Sequence, residues 1–174
     1  MIVVDTQNCV CSGGSLPLAD GDAVVPVRAL CHAGLAPPNY VSFKSRGRPW
    51  PQHCIQGTED SILRPDLELP PGTEIISKAM DPDREAYSSF DETDLAQRLS
   101  KRGVRRVFVG GLATDYCVKN TVLDAIKEGF QAVLLRDAVR GAEVIPGDSE
   151  RAIKEMERKG TALAVLNQIE SSKE

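Results

Sequence analysis

Positive charge is in deficit in this 174-residue chain: 21 Lys and Arg stand against 25 Asp and Glu, a net charge of -4. No basic field follows from that balance, so neither nucleic acid nor an anionic membrane is an expected partner. Long apolar runs are also missing, and no basic segment precedes the opening strand. That excludes a bilayer-spanning helix and makes the cytoplasm the expected address. Cysteine is sparse, odd in number and without scaffold spacing. Cys9, Cys11, Cys31, Cys54 and Cys117 therefore read as reduced thiols and not as a disulfide framework. Internal repeats and linkers are absent as well, so residues 1–174 are expected to form one domain.

What is present is organised around VFVGGLATDYC at 107–117, followed directly by VKNTVLDAIKEG. An apolar β-rich run breaks at Gly110-Gly111 and delivers Cys117 where a helical pattern begins. The first turn of a helix offers unpaired N–H groups and partial positive charge, which favour thiolate over thiol and can hold an oxyanion. Thr114 or Asp115 is placed to cap that helix, and Val118, Val122, Leu123 and Ile126 give it an apolar face. The plainer reading of an isolated cysteine is a small buried residue in a packing corner. Two other strands change the balance. MIVVD ends in Asp5 and EIISK ends in Lys78, and acids or amines at the carboxyl ends of parallel strands stand at the mouth of an α/β sheet. A carboxylate to take a proton, an ammonium to hold charge and a sulfur to attack a carbonyl form a working set.

The words VVDTQN…GGSL at 3–16, PPNYVSFKSRGRPWPQHCIQGT at 37–58, ISKAMDPDREAYSSF at 76–90 and FVGGLATDYCVKNTVLDAIKEGF at 108–130 occur in this order. Together they resemble the isochorismatase-like hydrolases, and within them the nicotinamidases. The resemblance implies a catalytic triad of Asp5, Lys78 and Cys117, an oxyanion hole from the N–H groups of Ala113 and Cys117, and a non-proline cis peptide at Leu112-Ala113. It implies Trp50 and Tyr87, or Phe90, around the substrate, with Val10 where the family has a ring-flanking aromatic. It further implies a bound Zn²⁺ or other divalent ion with His53 as a ligand, a small-molecule amide substrate and a homo-oligomer. The fold implied is a three-layer sandwich, a doubly wound and mostly parallel sheet with helices on both faces, which the strand–helix alternation also predicts.

One region departs from the family pattern. Residues 22–32 read as a helix closed by Gly34, and the chain then runs from HAGLA straight into Pro37-Pro38 with no second strand. The family places a strand ending in Asp-x-His there, supplying two metal ligands, and roughly a dozen residues are expected to be missing between Ala36 and Pro37. A single imidazole does not make a metal site. His32 is expected only to complement a helix dipole, Cys9-x-Cys11 to pack a loop, and Cys54 to be structural. Further on, 92–102 and 149–159 are predicted helices, 131–137 and 161–166 predicted strands, and 168–174 a polar tail.

Three functions remain open. The first is deamidation of nicotinamide, and of pyrazinamide, by a cysteine hydrolase. The second is a metal-independent hydrolase of the same family acting on another small amide, carbamoyl compound or vinyl ether. The third is a catalytically silent paralogue acting as a binding subunit.

Overall fold

In the structure, a computed structural model describing residues 1–24 and 30–170, six strands form one sheet. They are β1 (Ile2–Val4), β2 (Leu30–Gly34), β3 (Ile75–Lys78), β4 (Arg106–Leu112), β5 (Gln131–Arg140) and β6 (Ala162–Ala164). Their order is β3-β2-β1-β4-β5-β6, and each neighbouring pair is parallel. Among the described residues four α-helices accompany them: α1 (Leu95–Lys101), α2 (Lys119–Lys127), α3 (Asp148–Arg158) and α4 (Leu166–Glu170).

Strand alternation assigns the two faces. Ile2 and Val4 pack with Val109 and Leu134 against Leu95 and Leu99 of α1, Val122 and Ala125 of α2 and Met156 of α3. Val3 points the other way and joins Leu112 and Leu135, against the 9–11 turn, Leu67 and the partly buried Leu166 and Ile169 of α4. Helices thus lie on both faces, with α1, α2 and α3 on one and α4 on the other among the described residues. Each fully buried aliphatic side chain contributes about 1.5–3 kcal/mol, so both faces are well anchored.

The sheet corrects the reading of residues 22–34. Gly21–Val24 is a 3₁₀ turn, and Leu30–Gly34 is the second strand, in register with both β1 and β3. The remainder of the predicted helix, 25–29, lies outside the described residues, as do 171–174 of the predicted tail. The Ala36 N–H donates to the Cys54 carbonyl (3.1 Å), its carbonyl accepts from Gln56 (2.9 Å), and Pro37 opens a turn closed by Tyr40 (3.0 Å). The second strand is therefore present.

Gly111 holds the centre of the sheet together. Its φ is +113°, β4 shifts register against β5 between Val109 and Gly111, and an added Cβ would meet the Val4 carbonyl oxygen at 2.1 Å. Only glycine permits β1 to approach this closely.

Candidate active site

The chain runs from β1 outward to β2 and β3, then returns to β4 on the opposite side of β1. The crevice at the carboxyl ends of β1 and β4 is therefore the switch point at which open parallel sheets bind ligands. Asp5 follows β1, Lys78 ends β3, and Cys117 sits in a π-helical turn (Thr114–Val118) between β4 and α2. The Lys78 Nζ lies 2.9 Å from Asp5 Oδ2 and 3.3 Å from Cys117 Sγ, and donates to the Tyr87 carbonyl at 3.0 Å. Lys78 is only 4% exposed and Asp5 7%. Gly34 stands in register beside Lys78 and carries no side chain; a Cβ there would lie 3.7 Å from Asp5 Oδ1.

Charge and burial set the protonation pattern. Burial alone would lower the Lys78 pKa, but the Asp5 carboxylate and the Cys117 sulfur outweigh it and raise it above the ordinary value. Burial pushes the Cys117 thiol up to about 12, with Lys78 opposing and Asp5 reinforcing the shift. Desolvation here thus opposes the thiolate that the start of a helix would favour. Asp5 Oδ1 is buried and, among the described residues, has no hydrogen-bond partner. Such an orphaned acceptor beside a thiol is suited to receive a proton.

The turn that carries Cys117 is held from outside and not by a cap. Asp115 accepts the N–H groups of Ala142 and Glu143 at 2.8 and 2.9 Å, and neither it nor Thr114 caps the helix. The Leu112-Ala113 peptide is cis. The Ala113 carbonyl accepts from Tyr116 and Val118 at 3.1 and 3.0 Å, and Ala113 and Cys117 both line the cavity.

Aromatic side chains wall that cavity. Trp50 donates its indole N–H to the Tyr87 hydroxyl at 3.0 Å, and its ring meets Tyr116 edge-on at 4.8 Å between centroids. Val10 lines the same space. Phe90 does not: it stacks on Phe130 in the core. Tyr116 and Tyr40 line the cavity without having been singled out, although Tyr116 directly precedes Cys117 in sequence. Tyr40 accepts the Ala86 N–H at 2.8 Å, anchoring the 81–90 loop.

His53 also lines the cavity, packed against Phe43 at 5.4 Å, and its Nδ1 lies 2.7 Å from the Pro51 carbonyl oxygen. Burial, above all, holds its pKa below the ordinary value. A neighbouring pair of cysteines overturns the reduced-thiol reading. Cys9 and Cys54 form a disulfide with Cα atoms 5.3 Å apart, joining the turn after β1 to the His53 segment. Cys11 and Cys117 are free.

A parallel α/β sheet with a half-buried thiol beside a buried ammonium and carboxylate at its switch point is an enzyme scaffold built around sulfur. The chain belongs to the Isochorismatase domain family, whose match covers residues 1–168. It is similar to the nicotinamidase of Escherichia coli (strain K12), 32% identical over 200 residues that cover 95% of this chain and 94% of the relative. The alignment is longer than this chain, so the relative carries residues with no counterpart here. A crystal structure of the pyrazinamidase of Pyrococcus horikoshii in complex with zinc matches with a TM-score of 0.87 and 42% identity, over 95% of this chain and 97% of that one. PnC1 from L. infantum in complex with nicotinate matches with a TM-score of 0.85 and 30% identity, over 94% and 90%.

Among the described residues no ligand set fits the zinc that the Pyrococcus horikoshii neighbour binds. The two positions where the Asp-x-His ligands were expected, immediately before Pro37, are Gly34 and Ala36. Among the described residues no three His, Cys, Asp or Glu side chains form a group able to hold a metal. Asp60, one of the two acids whose charge acts on His53, accepts from Ser15 and from the Cys54 N–H. His53 alone falls short of the three or four ligands zinc requires.

Proposed function

We propose that this chain is a cysteine amidohydrolase that converts nicotinamide to nicotinate and ammonia, with pyrazinamide as a second substrate. The observation that carries the reading is the meeting of Asp5, Lys78 and Cys117 around one aromatic-walled cavity. The relatives named above support it by what they act on.

The Cys117 thiol is a weak nucleophile while protonated, so attack requires a base at the moment of bond formation. Asp5 takes the Cys117 proton as sulfur bonds to the carboxamide carbon. Lys78 remains charged and holds Asp5 and the sulfur in register. The oxyanion that forms is received by the N–H groups of Ala113 and Cys117. Collapse returns the proton through Asp5 to the leaving nitrogen, and ammonia departs, leaving a thioester. Water, deprotonated by Asp5, then cleaves the thioester to the acid and regenerates the thiol. Trp50, Tyr87 and Tyr116 enclose the ring and exclude bulk water, with Val10 on the opposing wall. No step passes through a metal.

The test is ammonia release from nicotinamide by purified protein beside Cys117→Ala. Loss of the nucleophile should lower kcat by about 10⁴-fold or more. Wild-type release no greater than the variant's would end the proposal.

A further inference from the structure

The aromatic wall of the cavity is tied together by a carboxylate that no step of the reaction uses. Trp50 and Tyr116 meet edge-on at 4.8 Å and Tyr87 and Tyr116 at 5.6 Å between centroids, while Trp50 reaches Tyr87 through its indole N–H. An indole nitrogen only donates, so the Tyr87 oxygen is the acceptor and its own proton must be directed elsewhere. Glu85, two residues earlier, is the acid placed to take it. Burial, above all, pushes the Tyr87 hydroxyl up to about 12; the Trp50 bond opposes, and the charge and side-chain hydrogen bond of Glu85 add to the rise. The Glu85 carboxylate also accepts the hydroxyl of buried Ser42 at 2.7 Å, and the Ser42 carbonyl accepts the Trp50 backbone N–H at 3.4 Å. A closed circuit results, from Ser42 to Glu85, along the chain to Tyr87, across to Trp50 and back to Ser42.

The backbone of the same loop is held without Glu85. Ala86 donates its N–H to the Tyr40 hydroxyl at 2.8 Å, and Lys78 donates to the Ala86 and Tyr87 carbonyls at 3.3 and 3.0 Å. Removing the Glu85 carboxylate therefore loosens ring side chains and leaves Lys78 its partners. We propose that Glu85 is a positioning residue for substrate binding, bracing Ser42 and Tyr87 so that Trp50 and Tyr87 present one preformed face to a planar aromatic amide. The inference rests on the amidohydrolase reading and names what sets affinity at that site. Side chains ordered in advance need not be ordered by the substrate, so the brace acts on KM and not on kcat.

Trp50 is the sole tryptophan of the chain, so its emission reports on this wall. In ligand-free Glu85→Ala the acrylamide quenching constant should rise about twofold or more as the ring loosens. Glu85 is exposed, so the thermal midpoint should stay within a few degrees of wild type. KM for nicotinamide should rise about fivefold or more, with kcat within about threefold of wild type. Calorimetry on Cys117→Ala, independent of turnover, should show a matching loss of nicotinamide affinity when Glu85→Ala is added. In a Tyr87→Phe background Glu85→Ala should add less than about twofold to KM, because the circuit is already open. Unchanged quenching, a quenching rise matched by a collapsed midpoint, a kcat loss as large as the KM rise, or additive effects with Tyr87→Phe overturns the inference. Wild-type protein that releases no ammonia, with the quenching rise and the loss of nicotinamide affinity both present, overturns only the amidohydrolase reading.

Discussion

The two ends of one cavity are built in different ways. Lys78 ends β3, Asp5 directly follows β1, and Cys117 sits in the turn that joins β4 to α2, so the sheet sets the separation of the three before any side chain contributes. The His53 end is assembled from turns: Pro51–Cys54, the Gly34–Ala36 exit from β2, and the 9–11 turn held by the Cys9–Cys54 disulfide. Asp5, Cys54 and Ala79, each lining the cavity, have positive φ, a conformation that costs non-glycine residues about 1–3 kcal/mol and that surrounding structure must hold in place. The strand-built end holds the three groups the resemblance names as reactive, whereas Gly34 and Ala36 stand where it would place an Asp and a His. Chemistry is tied to the sheet, whereas recognition is free to change with the loops.

Breaking the strand-built end should have the larger consequence. Lys78→Met leaves Asp5 buried without its ion-pair partner, and removal of one member of a buried pair costs about 3–5 kcal/mol. Denaturant unfolding should show that loss together with collapse of ammonia release. A variant that keeps its midpoint would show that the pair does not support the site.

The turn-built end should fail more gently. Cys54→Ser opens a disulfide spanning 45 residues. Chain-entropy arithmetic for such a loop gives about 4 kcal/mol as an upper figure. A chain of this size should melt roughly 10 °C lower, with KM rising more than kcat falls. A kcat loss comparable with that of Cys117→Ala would erase the distinction between the two ends.

Alkali separates them further. A thiol whose folded pKa is raised contributes stability that is complete below its unfolded value and lost as pH rises through the folded one. For Cys117 that window runs from the ordinary 9.0 to about 12, and Cys11, raised to about 11 chiefly by burial, adds in the same direction. Lys78, also raised, acts with the same sign. Stability should therefore decline above pH 9. Iodoacetamide should label Cys117 slowly at pH 7.5 and faster with each step upward. Rapid labelling at neutral pH would indicate a resting thiolate and overturn the buried-thiol account.

The division between the ends also explains what the sequence disclosed. Asp5 and Lys78 were legible because each closes an apolar β run, and Cys117 because it opens the helical pattern that follows one; a strand end in a parallel sheet has a fixed address. Leu30–Gly34 was not legible as a strand. Five residues with no period of their own, preceded by Ala23, Val24 and Val27 at helical spacing, satisfy either pattern until β1 and β3 are seen to flank them. Cys9 and Cys54 meet across 45 residues, and five cysteines with no scaffold spacing give no hint of that pairing. The raised thiol pKa depends on how deeply the turn is buried, and the His53 contact on a carbonyl two residues upstream. Neither follows from residue order.

The most direct test of the central claim is capture of the acyl intermediate. Wild-type protein is mixed with nicotinamide, quenched in acid within the first turnover, digested and weighed. The account predicts a nicotinoyl thioester on the peptide containing Cys117, absent from Cys117→Ala and formed in step with the first ammonia released. Ammonia released with no such adduct, or with the adduct on Cys11, would contradict it.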